Sequence, residues 1–477
     1  MQRRITTGNT QFSTRAALGA TFLIAATLGA SMPTQQAHAR GAAADMSSYE
    51  TAIANSVQKL SKKGEFSGIT LRFATRHLPP MDFVVSHLKQ FQDWTGATVQ
   101  VTEYGENPLR DKIVADASSH AGQFDLYNLD GNYTPLFASN GWIQPLGSLA
   151  PSYRADDILP FSRGLYTYKG QLYGAPIYLE TTILYYRKDL FKKVGIAKAP
   201  STMDELSADA AKLTNAPRVY GISLRGLRGE GMNVYTWTEW LHSYGGEYFK
   251  NNTFTPDFNS PGAIKGTEEY AALIKKYDAP NAGTWGWPEV SSAFAAGRVG
   301  MTIESTAFYP TFEDPKQSSV AGQIGFAPVP AGPNGQWPAN YTTGIAIASS
   351  VKDAKKLAAA KAFLQYGTSA EMETGGLGEQ SIGNVARTSL LNSPLYTQKI
   401  TNVNPDYASA VAADYKLTKS IYRPLIPQWK ATGDIIGTAI EGVFTGQSSA
   451  ASALNAAAAD VTKLYKQQGI YGKPTGL

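Results

Sequence analysis

Short runs that alternate apolar and polar residues recur along the chain between longer runs with apolar residues every three or four positions, the pattern of strands alternating with helices. Ile69-Thr70-Leu71-Arg72-Phe73 predicts a first strand. Residues 81–94, with Phe83, Val84, Leu88 and Phe91 at helical spacing, predict a helix that stops at Gly96. Residues 98–102, 109–117 and 124–128 continue as strand, helix, strand. Strands and helices in this order imply an α/β fold with a mostly parallel sheet covered on both faces. The ligand crevice of such a sheet lies beyond the carboxyl ends of its strands. Here that means Thr75-Arg76-His77 and residues 128–133.

The stretch LYGAPIYLETTILYYRKDLF, residues 172–191, organises the rest. It is rich in β-branched and aromatic residues without a helical period, so it reads as one long strand. Pro176 suits its beginning, and a lone acid, Glu180, sits in its apolar middle. Glu180 fits either a solvent-facing edge position or a binding group. The chain then turns polar at Arg187-Lys188-Asp189 and opens a helix after Ser201-Thr202, with Asp204 and Glu205 in the first turn. A long strand feeding a helix of a second unit is a domain crossing. Further helices are expected at 202–213, 232–244, 261–277, 290–296 and 353–366, with two more across 422–466. Strands are expected at 219–224, 300–303, 325–329 and 343–347, the last as the return crossing.

Length and composition narrow the class. The 477 residues suffice for two or three domains, and 43% hydrophobic with 17% charged side chains describes an ordinary globule. The formal charge of +5 includes Arg3, Arg4 and Arg15. Without those three, 40 basic side chains face 38 acidic ones, too even a balance for nucleic acid. Arg3, Arg4 and Arg15, an apolar run at 16–30 and Ala37-His38-Ala39 form an export signal over 1–39 with a cleavage site. The sequence contains no cysteine, which excludes disulfides, thiolate metal sites and a lipid-modified cysteine, and so implies a free periplasmic protein. Ser47 and Glu50 offer a capping box for a helix in an N-terminal extension, residues 40–66.

Catalytic signatures are absent: there is no G-x-S-x-G, H-E-x-x-H, P-loop or G-x-G-x-x-G, and no pair of histidines at metal-ligand spacing. No metal or other cofactor is implied. A glycosidase pair of Glu180 and Glu304 stays open at this point, since its test is the carboxyl separation. What stands out is 26 Tyr, 19 Phe and 8 Trp. Aromatic rings stack on the C–H faces of sugars, and planar Asp, Glu, Asn and Arg groups pair with hydroxyls. Candidate stacking residues are Tyr235 and Trp237, which fit core packing equally well, and Trp285 and Trp287; Trp240 reads as core.

PIYLETTILYYRKDLF with APSTMDEL resembles the crossover of the family 1 extracellular solute-binding proteins, receptors of bacterial importers of the ATP-binding-cassette class. FQDWTG (91–96), NGWIQPL (140–146), FAAGRVGM (294–301), GFAPVP (325–330), TGIAI (343–347) and AKAFL (360–364) with Thr368-Ser369 follow in the family's order. The resemblance spans roughly residues 68–465. It implies a two-lobed type II periplasmic binding protein fold, each lobe a mostly parallel sheet flanked by helices and joined by hinge crossovers. Lobe 1 is expected at 67–180 plus 344–400, and lobe 2 at 181–343 plus 401–477. It further implies a small carbohydrate or polyol held between the lobes of a monomer, delivered to an inner-membrane permease and not chemically changed.

Residue by residue, the resemblance places Glu180 at a sugar-contacting glutamate and Tyr235 at a stacking tyrosine. Asp130 and Asn132 fall near an aspartate contact, and Arg76 and His77 in a ligand-touching loop. Arg387 matches an arginine near the cleft, with a loop-capping role as the alternative. Where maltodextrin-binding members carry a stacking tryptophan, Glu304-Ser305-Thr306-Ala307 stands here, with Phe308 and Tyr309 beyond. Trp429 is the nearest substitute for a second tryptophan. Those departures favour a monosaccharide, disaccharide or polyol over a linear maltodextrin. The competing readings are a secreted glycoside hydrolase and a same-fold receptor for a polyamine, iron or glycerol phosphate. Glu180→Gln and Tyr235→Ala are expected to weaken ligand binding with little change in thermal unfolding; unchanged calorimetric affinity removes either residue from the site.

Overall fold

The computed structural model describes residues 48–250, 253–377, 384–418 and 422–470. The expected leader and Ser47 lie outside the described residues. Nine strands are present among them: β1 (Thr70–Arg76), β2 (Thr98–Tyr104), β3 (Leu126–Asp130), β4 (Thr167–Tyr168), β5 (Gln171–Leu172), β6 (Gly174–Arg187), β7 (Met301–Ser305), β8 (Ile324–Ala327) and β9 (Asn340–Ile347). β4 and β5 form a small hairpin; the others share one sheet in the order β2-β1-β3-β9-β6-β7, with β8 also on β6. β1 runs parallel to β2 and β3, as alternating βα units require. β9 is antiparallel to both β3 and β6, and β7 and β8 are antiparallel to β6, so the sheet is mixed rather than mostly parallel.

The sheet is two half-sheets sharing one strand. Residues Gly174 to Thr181 of β6 pair with β9, and Thr182 to Arg187 pair with β7 and β8. A register shift between Pro176 and Tyr178 absorbs the proline, which has no N–H to donate. β6 is buried along nearly its whole length, which explains its apolar composition on both faces. Its side chains alternate: Leu184 joins one hydrophobic core with Trp237, Trp240 and Ile436, while Ile183 and Tyr185 join another with Phe294, Phe312 and Tyr407. A separate core under β1–β3 gathers Phe73, Phe91, Leu126, Ile345 and Phe363.

Several expectations shift. The helix at 81–94 is two, Pro79–Ser86 and Leu88–Thr95, broken at His87. Residues 219–224 contribute only isolated bridges, Val219 to Asn215, Tyr220 to Val299 and Ser223 to Thr302. Ile53 and Val57 of the N-terminal helix are buried in the first core. Val385, Leu390, Tyr396 and Ile400, expected with lobe 1, belong to the core around Ile183 and Tyr185. No described helix is long and apolar enough to cross a membrane.

Glu239, on the helix Asn233–Ser243, fastens the crossing. One of its oxygens accepts from the Thr182 hydroxyl and from the Ala339 N–H at 3.0 Å; the other is buried without a partner. Burial pushes this carboxyl up to about 8. A carboxyl raised in the folded state stabilises fully below its ordinary value of 4.5, and the contribution is lost as pH rises through about 8. Unfolding free energy is therefore expected to fall between about pH 5 and pH 8, and Glu239→Gln to flatten the fall. Denaturant titrations of both proteins giving the same pH slope would refute this.

Candidate ligand-binding site

Where β6 passes from one half-sheet to the other, a cavity of about 40 Å³ opens, lined by Arg76, Leu78, Glu106, Arg110, Tyr178, Glu180, Arg225, Gly231, Tyr235, Trp287, Ala307, Phe308, Tyr341 and Arg423. Tyr178 and Glu180 reach it together because they are two apart on one strand, and Glu180 is the register partner of Tyr341 on β9. Arg76 is the last residue of β1. Glu106 and Arg110 stand one turn apart on the helix Glu106–Ser119.

The charges are paired. Arg110 meets Glu106 at 2.7 Å and Asp130 at 2.6 Å. Arg76 meets Asp130 at 3.2 Å and the Tyr341 hydroxyl, and lies 3.3 Å from Glu106. Arg225 grips both oxygens of Glu304, at 2.6 and 2.5 Å. Arg423 donates to Glu230 at 2.9 Å, as does the Trp429 indole. Burial alone would raise Asp130, but Arg110 and Arg76 outweigh it and hold the carboxyl well below the usual range. Glu180 differs: burial pushes it up to about 7, against partial relief from Ser305, Arg225 and Tyr178.

The apolar surface is aromatic. Trp287 and Phe308 stack at 5.5 Å and 23°, and the Trp287 indole donates to Glu106 at 2.7 Å. The Tyr235 ring lies between the guanidinium groups of Arg225 (4.6 Å) and Arg423 (5.2 Å). Its hydroxyl is buried with no partner, and Arg76 Nε is likewise unpartnered. Buried polar atoms without partners are costly, so their convergence on one cavity points to a ligand that pairs with them.

Of the residues expected from the sequence, Arg76, Glu180, Tyr235 and Trp287 line this cavity. Asp130 and Asn132 stand behind the lining, Asp130 on two arginines and Asn132 donating to Glu230 at 3.3 Å. Glu304 stands beside the lining with both oxygens bonded to Arg225. The rest lie elsewhere. His77 is largely exposed between Asp82 and Glu103. Trp237 is core, its indole bonded to Thr267, because two helical positions from Tyr235 turn it to the opposite side. Trp285 packs against the cores, and Trp429 is buried in one, reaching the site only through Glu230. Arg387 holds the backbone carbonyls of Tyr153, Arg154 and Thr368, the loop-capping role.

Arg110, Arg225, Arg423, Glu106, Glu230, Tyr178 and Tyr341 were not singled out from sequence. Glu106 and Arg110 carry a usable signal, opposite charges four apart on a helix just after a strand end. Arg423 sits in no recognisable pattern.

A family model described as bacterial extracellular solute-binding protein matches residues 81–374. A mannitol-binding protein of Pseudomonas aeruginosa is 29% identical over 381 residues, 76% of this chain and 85% of its own. A solute-binding protein of Agrobacterium radiobacter K84 in complex with ribitol superposes with a TM-score of 0.76 at 28% identity, covering 84% of this chain and 99% of the other. One from Agrobacterium vitis S4 with bound D-mannitol gives 0.73 at 28%, covering 84% and 100%.

Burial revises the expectation for Tyr235. Tyr235→Ala empties a ring-sized space between two arginines and is expected to cost about 3–5 kcal/mol of folding free energy. Tyr235→Phe removes only an unpartnered hydroxyl and leaves stability nearly unchanged. Equal denaturation midpoints for the two variants would contradict the packed geometry.

Proposed function

This chain belongs to the bacterial extracellular solute-binding protein family, and on that premise we propose that it captures a small neutral polyol or sugar between two lobes and delivers it to an inner-membrane permease of an ATP-binding-cassette importer. The observation that carries the choice of ligand is the charge balance of the cavity. Arg76, Arg110, Arg225 and Arg423 face Asp130, Glu106, Glu304 and Glu230, all in ion pairs, and burial pushes the remaining carboxyl, Glu180, up to about 7 and so toward its neutral form. A phosphate would need an excess of guanidinium, and a polyamine or iron an excess of carboxylate. A neutral guest needs neither, and gains charge-assisted hydrogen bonds from groups already oriented by their partners.

The small cavity and the Trp287–Phe308 wall suit a short carbon chain or a single ring rather than an oligosaccharide. Mannitol and ribitol, the ligands of relatives at 28–29% identity, are of that size and kind. We assign lobe 1 to residues 48–180 with 340–376 and lobe 2 to 181–339 with 384–470. Ligand-linked closure of these lobes would be the signal the permease reads. The protein would act as a free periplasmic monomer, without a cofactor and without turning its ligand over.

The test is a thermal-shift and calorimetric screen of D-mannitol, ribitol, maltose, glycerol 3-phosphate and spermidine. A polyol or small sugar is expected to stabilise the protein, by about 2.7 kcal/mol at 100 times its dissociation constant. Its affinity should scarcely respond to salt, because the guest carries no charge. Tyr235→Phe should weaken it about three- to tenfold, the worth of one hydrogen bond. Selective stabilisation by glycerol 3-phosphate or spermidine would overturn the proposal.

A further inference from the structure

Glu180 is the one carboxyl lining the cavity that no guanidinium neutralises. The four arginines are taken by Asp130, Glu106, Glu304 and Glu230, and among the described residues no ion pair reaches Glu180. It is only 6% exposed. The groups around it are Tyr178 on its own strand, Tyr235 on the helix Asn233–Ser243, and Ser305 with Glu304 at the end of β7. Arg225, already committed to Glu304, is the cation that acts on it, and Tyr415 closes the side behind β6 by donating to the Leu179 carbonyl. Ionised, Glu180 would place an uncompensated negative charge in an enclosed site beside a second carboxylate.

Resting on the receptor reading above, we propose that Glu180 meets its ligand as a neutral carboxylic acid, and that closure on the ligand takes up a proton from solvent. In the protonated form the group offers a donor and an acceptor to a polyol, whose hydroxyls also both donate and accept. A carboxylate would only accept, and would compete with the ligand for the Tyr178 and Tyr235 hydroxyls. Burial supports this, pushing Glu180 up to about 7. Wetted by an open cleft, the same group would titrate near its ordinary 4.5. The favourable contribution is therefore complete below that value and lost as pH rises through about 7.

Calorimetry of the whole protein with D-mannitol and ribitol, each in two buffers of different ionisation enthalpy, measures the proton directly. The expected result is uptake of about half a proton per ligand at pH 7, and affinity about tenfold weaker at pH 8 than at pH 6. Glu180→Gln should abolish both effects. Asp278→Asn, which alters another buried and raised carboxyl that accepts from the Leu224 and Ala279 N–H groups and does not line the cavity, should retain them. Binding without proton uptake, or uptake that persists in Glu180→Gln, overturns this proposal alone. Failure of every solute in the screen to bind overturns the receptor reading and this proposal with it.

Discussion

Four buried guanidinium groups around one small cavity must each find a carboxylate, and much of the site follows from that requirement. An unpaired arginine at this depth would cost several kcal/mol, and losing one partner of a buried pair costs about 3–5. Arg110 is consequently fixed by Glu106 and Asp130 together, Arg225 by both oxygens of Glu304, and Arg423 by Glu230. The partners come from separate elements: Asp130 ends β3, Arg76 ends β1, and Glu304 lies in β7. Pairing the charges thus brings the strand ends into register as well as neutralising the cavity.

β6 makes that convergence possible. A strand of fourteen residues at about 3.3 Å per residue is long enough to belong to two half-sheets in turn. Its midpoint, where Glu180 pairs with Tyr341 and Thr182 with Ser305, is where the two sets of charged groups meet. Glu239 holds the same point from behind through Thr182 and Ala339. The crossing strand is therefore also the floor of the site, and residues two apart on it, Tyr178 and Glu180, face the cavity together.

How much of this could be read from the chain depended on whether the signal was local. The alternation of strands and helices, the crossing at 172–191 and the strand-end location of Arg76 and Asp130 follow from periodicity and from the crevice rule. Glu180 stood out because an acid in an apolar strand needs a reason. Arg225 and Arg423 did not, since they become informative only when their carboxylates arrive from 79 and 193 positions away. Trp237, Trp285, Trp429 and Arg387 do not line the cavity, for the complementary reason. Large rings and guanidinium groups serve cores and loop carbonyls as readily as ligands, and only direction in space separates the uses. The expected excess of parallel pairing failed because β9 returns against both β3 and β6, a matter of long-range topology.

A cavity whose charges are already paired discriminates by geometry rather than by attraction. Each arginine keeps N–H groups beyond those its partner occupies, as at Arg76 Nε, and a hydroxyl can take them without disturbing the pair. The Tyr235 ring, held between two guanidinium groups, sets where its free hydroxyl points, and the stacked Trp287 and Phe308 set where carbon can lie. A guest therefore gains only if its oxygens fall at those positions along a chain or ring that fits the wall. Omitting one hydroxyl leaves a buried donor unsatisfied, a larger penalty than the loss of an ordinary contact. Selectivity among neutral solutes of the same size then comes from the spacing and configuration of their hydroxyls, the property in which stereoisomeric polyols differ.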